Sequence, residues 1–314
     1  MTIGLDAPDD AAVLAPPPAG THIVATVDLF RSFIDDPYTF GEIAANHALN
    51  DILAMGGTPR HALAIAVVPH GPPEKTEETL FQLLAGARAC LDREEVVLSG
   101  GHSAEGAEIA LGFSVSGTVA PDGILRKAGL RAGDSLILTR PIGTGILFAA
   151  LMRGRAKAAS IARALDAMRQ SAGAAARILV AHGATAMTDV SGFGLAGHLG
   201  EMLKASRATA ELDLANIPYY PEARDLAAAG IASTLLPENL AVGSILPTGI
   251  GAETGALLFD PQTAGGLLAG IPQRRAVDCI AALRAAGYAD AAVIGSVREA
   301  GEAEPCIVTK NGMG

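Results

Sequence analysis

Five aspartates stand where a strand or helix ends: Asp9 and Asp10 before the apolar run Ala11–Leu14, Asp28 after Ile23–Val27, Asp51 within Leu49–Gly57, and Asp189 after Ala186–Thr188. Carboxylates dispersed in this way are the donors a hard cation such as magnesium takes, one or two at a time, with phosphate oxygens and water completing its shell. A second group, Gly100-Gly101-His102-Ser103, follows the strand-like Glu95–Ser99 and offers backbone amides with no side chain in the way of a phosphate. The chemistry these residue types suit is a metal-nucleotide site. Taken singly, each aspartate is equally a turn or N-cap residue, and His102 a hydrogen-bonded loop residue.

The elements that must position these groups are legible from pattern. Thr39 and Glu42 have capping-box spacing and Gly56-Gly57 supply a stop, so a helix is predicted over 40–55. On it Ile43, Ala44, Ile52 and Met55 can face a core, while Asn46/Asn50 and His47/Asp51 are i,i+4 pairs on a polar side that can equally be solvated surface. First-half strands are expected near 23–28, 61–68, 95–99 and 109–119, with a helix near 75–92. Second-half strands are expected near 135–139, 184–189, 208–213, 255–260 and 291–296, with helices near 145–153, 158–182, 192–204 and 274–287. Pro121-Asp122-Gly123 divides the halves, giving domains 1–122 and 123–314 and an α/β or α+β enzyme of two domains. Asp260-Pro261-Gln262-Thr263-Ala264-Gly265-Gly266 reads as a turn with close backbone approach and names no chemistry.

No G-x-x-x-x-G-K-[ST] loop and no strand-borne G-x-G-x-x-G is present, which removes the ordinary P-loop and dinucleotide readings. A net charge of −10 and a pI near 5.2 argue against broad nucleic-acid binding. No apolar run nears the roughly 20 residues of a membrane helix. Three unpatterned cysteines, Cys90, Cys279 and Cys306, suit a reducing compartment, and a cytoplasmic location is expected.

Taken in order, Asp9-Asp10-Ala11-Ala12-Val13, Asp51–Gly57, Gly100–Ser103, Met187–Leu195 with Gly197-His198, and Asp260–Gly266 resemble the selenophosphate synthetase (selenide, water dikinase) family across nearly the whole chain. The resemblance implies two aminoimidazole-ribonucleotide-synthetase-like domains with mixed sheets and flanking helices, the first binding ATP and magnesium and pairing two chains through their sheets. It implies ATP-dependent phosphorylation of selenide to selenophosphate, AMP and orthophosphate, for selenocysteine and selenouridine synthesis. Asp10, Asp51 and Asp189 would hold magnesium; Asp9, Asp28 and Asp51 with Gly101, His102 and Ser103 would line the ATP site; Glu108 is a weaker candidate. The family also carries a Cys or selenocysteine and a Lys in a glycine-rich segment ahead of the Asp-Asp block. No cysteine here matches it, so the catalytic group is unknown and the chain is expected to be a fragment of a longer or fused polypeptide. The alternatives are another ATP-dependent kinase or cycloligase of the superfamily, or a non-catalytic ATP-binding domain.

Overall fold

In a computed structural model of the chain, the residues described are 5–6, 11–12, 14–241, 246, 250–300 and 306–309. They form two units, Met1–Ile124 with Met168–Gly173, and Leu125–Ala167 with Ala174–Gly314.

The first unit contains β1 (His22–Arg31), α1 (Pro37–Ala54), β2 (Thr58–Pro69), α2 (Pro73–Arg93), β3 (Val97–Gly106) and β4 (Ala110–Val119). The strands form one mixed sheet in the order β1-β4-β2-β3, antiparallel except for the β2/β3 pair. One face carries the helices, with Phe40, Ile43, Leu49, Ile52, Leu83 and Phe113 buried. Glycines let α1 and α2 cross in near contact: a Cβ on Gly41 would lie 2.1 Å from the Leu83 carbonyl, and one on Gly86 1.9 Å from that of Tyr38. The other face leaves Ile23, Val27, Leu29, Leu63 and Ile65 exposed, around the small Gly112, Ser114 and Ser116.

The second unit contains β5 (Asp134–Leu138), α3 (Thr144–Met152), α4 (Ala158–Arg169), α5 (Gly173–Ala181), β6 (Ala186–Asp189), α6 (Gly194–Ser206), β7 (Ala208–Leu212), α7 (Ala223–Ala228), α8 (Leu236–Ala241), α9 (Ala252–Leu258), β8 (Leu267–Pro272), α10 (Gln273–Ala285), β9 (Ala292–Glu299) and β10 (Ile307–Thr309). Its sheet runs β10-β7-β9-β5-β8-β6, antiparallel except for β10/β7. Leu136, Leu138, Leu195, Leu199, Met202 and Ile294 form part of its core.

Several expectations are corrected. The helix predicted over 158–182 is two helices, and the carbonyls of Met168 at the end of α4 and of Gln170 just beyond it accept from the buried Asn46 amide, each at 2.7 Å. The strand expected near 255–260 is helix α9, and β8, which holds a glycine in mid-strand, was not foreseen. Helix α1 is capped by Asp36, whose Oδ1 accepts from the Thr39 amide at 2.6 Å, with Pro37 at the first helical position, rather than by Thr39.

Candidate functional site

Helix α1 separates its polar residues into two groups. Asn46 and Asn50 are fully buried, and Asn46 serves the connection between α4 and α5, so this pair is structural rather than solvated surface. One position on, His47 and Asp51 face β1 one turn apart. Thr26 Oγ1 donates to Asp51 Oδ2 at 2.6 Å, and the Phe30 ring lies 5.1 Å from that of His47. Alternation along β1 therefore puts Asp28, between Thr26 and Phe30, on the same face as Asp51. Two half-buried carboxylates and a hydroxyl thus share one strip between β1 and α1. Thr26 was missed in the sequence, although its position two residues from Asp28 was the signal.

Gly101, His102 and Ser103 lie elsewhere in this unit. The strand does not break at Gly100 as expected: β3 runs on to Gly106, pairing Gly101 with Ala64, His102 with Ile65 and Ser103 with Ala66. A Cβ on Gly101 would sit 2.3 Å from the Ala64 carbonyl, so that glycine is required by strand packing. Asp28 pairs with Phe113, Phe113 with Ala64, and Ala64 with Gly101, a row across the whole sheet. Three strand spacings put Asp28 and Gly101 about 14 Å apart, on opposite edge strands. Both faces of β3 from Gly101 to Glu105 are open to solvent. Glu108 lies in the turn after β3, not on a strand, and is exposed and paired with Arg31 at 3.2 Å, a surface ion pair.

In the second unit Asp189 ends the edge strand β6 and is buried. The turn after it is fixed by backbone bonds from Val190 N to Gly266 O (2.9 Å) and from Gln262 N to Ser191 O (3.0 Å). Ser191 Oγ lies 3.2 Å from His198 Nε2, and His198 Nδ1 lies 3.4 Å from Glu201 Oε2. The neighbouring His198 and Lys127 side chains hold the Glu201 carboxyl down at about 2, against its partial burial. The Asp260–Gly266 segment is a clasp. Gln262 Oε1 accepts from the Gly143 and Thr144 amides at 3.0 and 3.2 Å, and its Nε2 donates to Asp260 Oδ2 at 2.9 Å. Burial pushes the Asp260 carboxyl up to about 7, opposed by hydrogen bonds from Ile146, Gln262 and Gly145. A Cβ on Gly265 would lie 2.0 Å from the Val190 carbonyl, so this clasp packs directly on the Asp189 turn.

Asp9 and Asp10 lie outside the described residues. Burial raises the Cys90 thiol to about 12 and the Cys279 thiol to about 11, so neither is a thiolate at neutral pH; Cys306 is partly exposed beside Thr209.

Residues 8–119 match the family model for the N-terminal domain of AIR synthase related proteins, and residues 131–305 that for the C-terminal domain. A selenide, water dikinase of Myxococcus xanthus (strain DK1622) is 41% identical over 303 residues, covering 94% of this chain and 84% of the relative. One of Pelobacter propionicus is 38% identical over 309 residues, covering 95% and 86%. The chain belongs to the selenide, water dikinase family. The resemblance of its motifs to that family is thereby borne out, as is the fold of two AIR synthase related domains. Solved structures with this architecture include the hydrogenase maturation protein HypE in complex with ATP (TM-score 0.76, 20% identity, 98% of this chain and 86% of that one). Another is the thiamine-monophosphate kinase of Stenotrophomonas maltophilia K279a (TM-score 0.72, 21% identity, 96% and 89%). At these identities they establish the fold.

Among the described residues no three His, Cys, Asp or Glu side chains gather into a metal cage. The strip at Asp28 and Asp51 has a different composition, carboxylate and hydroxyl oxygens and no thiolate. That donor set fits a magnesium ion shared with substrate phosphates.

Proposed function

We propose that this member of the selenide, water dikinase family makes selenophosphate from ATP, selenide and water, with AMP and orthophosphate as the other products. The observation that carries the reading is 36–41% identity to selenide, water dikinases over more than nine-tenths of the chain. The carboxylate strip supports it. Asp51, with Asp10 and Asp189, would hold magnesium ions, which supply charge neutralisation along the triphosphate. Asp9 and Asp28 would line the nucleotide site with Gly101, His102 and Ser103. Thr26, by donating to Oδ2, fixes the rotamer of Asp51 and leaves its other oxygen for a ligand. Phosphoryl transfer of this kind depends on alignment and charge rather than on a nucleophile triad.

The same reading calls for two chains. Asp28 and Asp51 lie at the β1 edge and Gly101–Ser103 at the β3 edge, so one sheet by itself does not enclose a nucleotide between them. The open face bearing Ile23, Val27, Leu29, Leu63 and Ile65 is an apolar surface suited to burial against a second copy, which would bring its β3 edge toward the first copy's β1. No helix among the described residues is long and apolar enough to cross a membrane, and we place the protein in the cytoplasm on its cysteine usage.

The test is phosphorus-31 NMR of the purified chain under anaerobic conditions with ATP, magnesium and selenide. Selenophosphate and AMP in equal amounts are expected. ATP resonances that broaden with magnesium but give no selenide-dependent product would refute the activity and leave a nucleotide-binding domain.

A further inference from the structure

Asn239 joins two loops that are distant in sequence. It stands on α8, is 7% exposed, and its Nδ2 donates to the Gly192 carbonyl at 2.8 Å and to the Phe259 carbonyl at 3.0 Å. Gly192 follows Asp189 by three residues, and Phe259 directly precedes the Asp260 clasp. Both partners are acceptors. An amide supplies the two hydrogens they need, a hydroxyl supplies one and a carboxylate none. On its other side the Asp189 turn is already joined to the clasp by the Val190 and Ser191 backbone bonds. Asn239 therefore fastens the second side, and the turn is fixed at both ends.

We propose that Asn239 is a positioning residue for Asp189, setting the direction in which that carboxylate meets a divalent cation. The proposal rests on the reading of Asp189 as a metal-binding carboxylate. Side chains that orient metal-binding groups typically change metal affinity or activity by 10- to 100-fold when removed.

The test uses the full chain with manganese as a paramagnetic probe, followed by electron paramagnetic resonance in the presence of a non-hydrolysable ATP analogue. Wild type is compared with Asn239→Asp, Asn239→Ser, Asp189→Asn and the Asn239→Ser/Asp189→Asn pair. Asn239→Asp is expected to weaken manganese binding about 10- to 100-fold. Asn239→Ser, which keeps one donor and serves if the aspartate variant does not fold, should weaken it less. On the Asp189→Asn background Asn239→Ser should add nothing, because residues acting through one another are non-additive. Unchanged affinity in the folded Asn239 variants, or an equal further loss on the Asp189→Asn background, would overturn the proposal alone. Unchanged affinity in Asp189→Asn would overturn the metal reading of Asp189 and this proposal with it.

Discussion

The buried Asp260 carboxyl offers a measurement that depends on no assumption about substrate. Its ordinary value of 3.8 rises to about 7, with burial the leading cause, so the folded protein holds a proton there that the unfolded chain has released. Stability must then fall as pH rises from about 4 through about 7 and level off above, the slope following the excess of protons bound by the folded state. The full span corresponds to about 4 kcal/mol. With a pI near 5.2, the accessible window begins near pH 6. From there to pH 8.5 about 1.5 kcal/mol of that loss remains to be observed. Asp260→Asn is the comparison. Its amide does not titrate, and since the groups facing the carboxyl, Gln262 Nε2 and the Gly145 and Ile146 amides, are all donors, one donor must face another. That mismatch costs about 1–3 kcal/mol at every pH. Urea unfolding followed by circular dichroism at pH 6, 7, 8 and 8.5 should show wild type losing about 1.5 kcal/mol relative to the variant as pH rises, and being the less stable of the two at pH 8.5. Groups common to both proteins, Glu201 among them, cancel in the difference. Parallel stability curves would show that Asp260 ionises normally and that burial in the clasp does not hold its proton.

Thr26→Val keeps the β-branched shape but removes the donor that orients Asp51; partners that orient metal-binding carboxylates typically change affinity about 10- to 100-fold, so magnesium-dependent ATP affinity measured by calorimetry should fall by that much. Gly86→Ala forces a methyl against the Tyr38 carbonyl, which cannot move aside as a side chain would, and should destabilise the first unit by about 3 kcal/mol in urea unfolding. If two copies pair through the open face of the first sheet as proposed, Ile65→Asp should convert a sedimenting dimer to a monomer while leaving the far-ultraviolet circular dichroism unchanged.

What the sequence conveyed and what it withheld follow from the range of the interactions. The spacing Asp51 to Gly56-Gly57 marked the helix end, and Gly56 at φ +71° supplies that stop. His47 and Asp51 were placed on one side by helical periodicity, and α1 does turn both toward β1. The β1 partner Thr26, 25 residues away, is a tertiary fact that no local pattern contains. Gly255–Asp260 looked like a strand because a short apolar run has no period that separates a buried strand from a buried helix. The glycines at 100 and 101 have the composition of a loop, yet Gly101 is small because β2 and β3 approach closely there. Asn239 gave no signal at all. Its role exists only where two loops, each set by its own neighbours, come within reach of one amide.

On the proposed site assignment, the row Asp28, Phe113, Ala64, Gly101 would mount the two halves of a nucleotide site on opposite margins of one board. An enzyme assembled from two such boards has no private active sites; each is jointly owned. Chains carrying Asp51→Asn and chains altered at His102 and Ser103 would each be inactive as pure populations. Mixed and reassorted in equal amounts, half of the pairs would be hybrids, each with one doubly damaged site and one intact, and about a quarter of wild-type activity would return. Loss of function at one margin of the sheet would thus be repaired in trans by a chain that is itself defective.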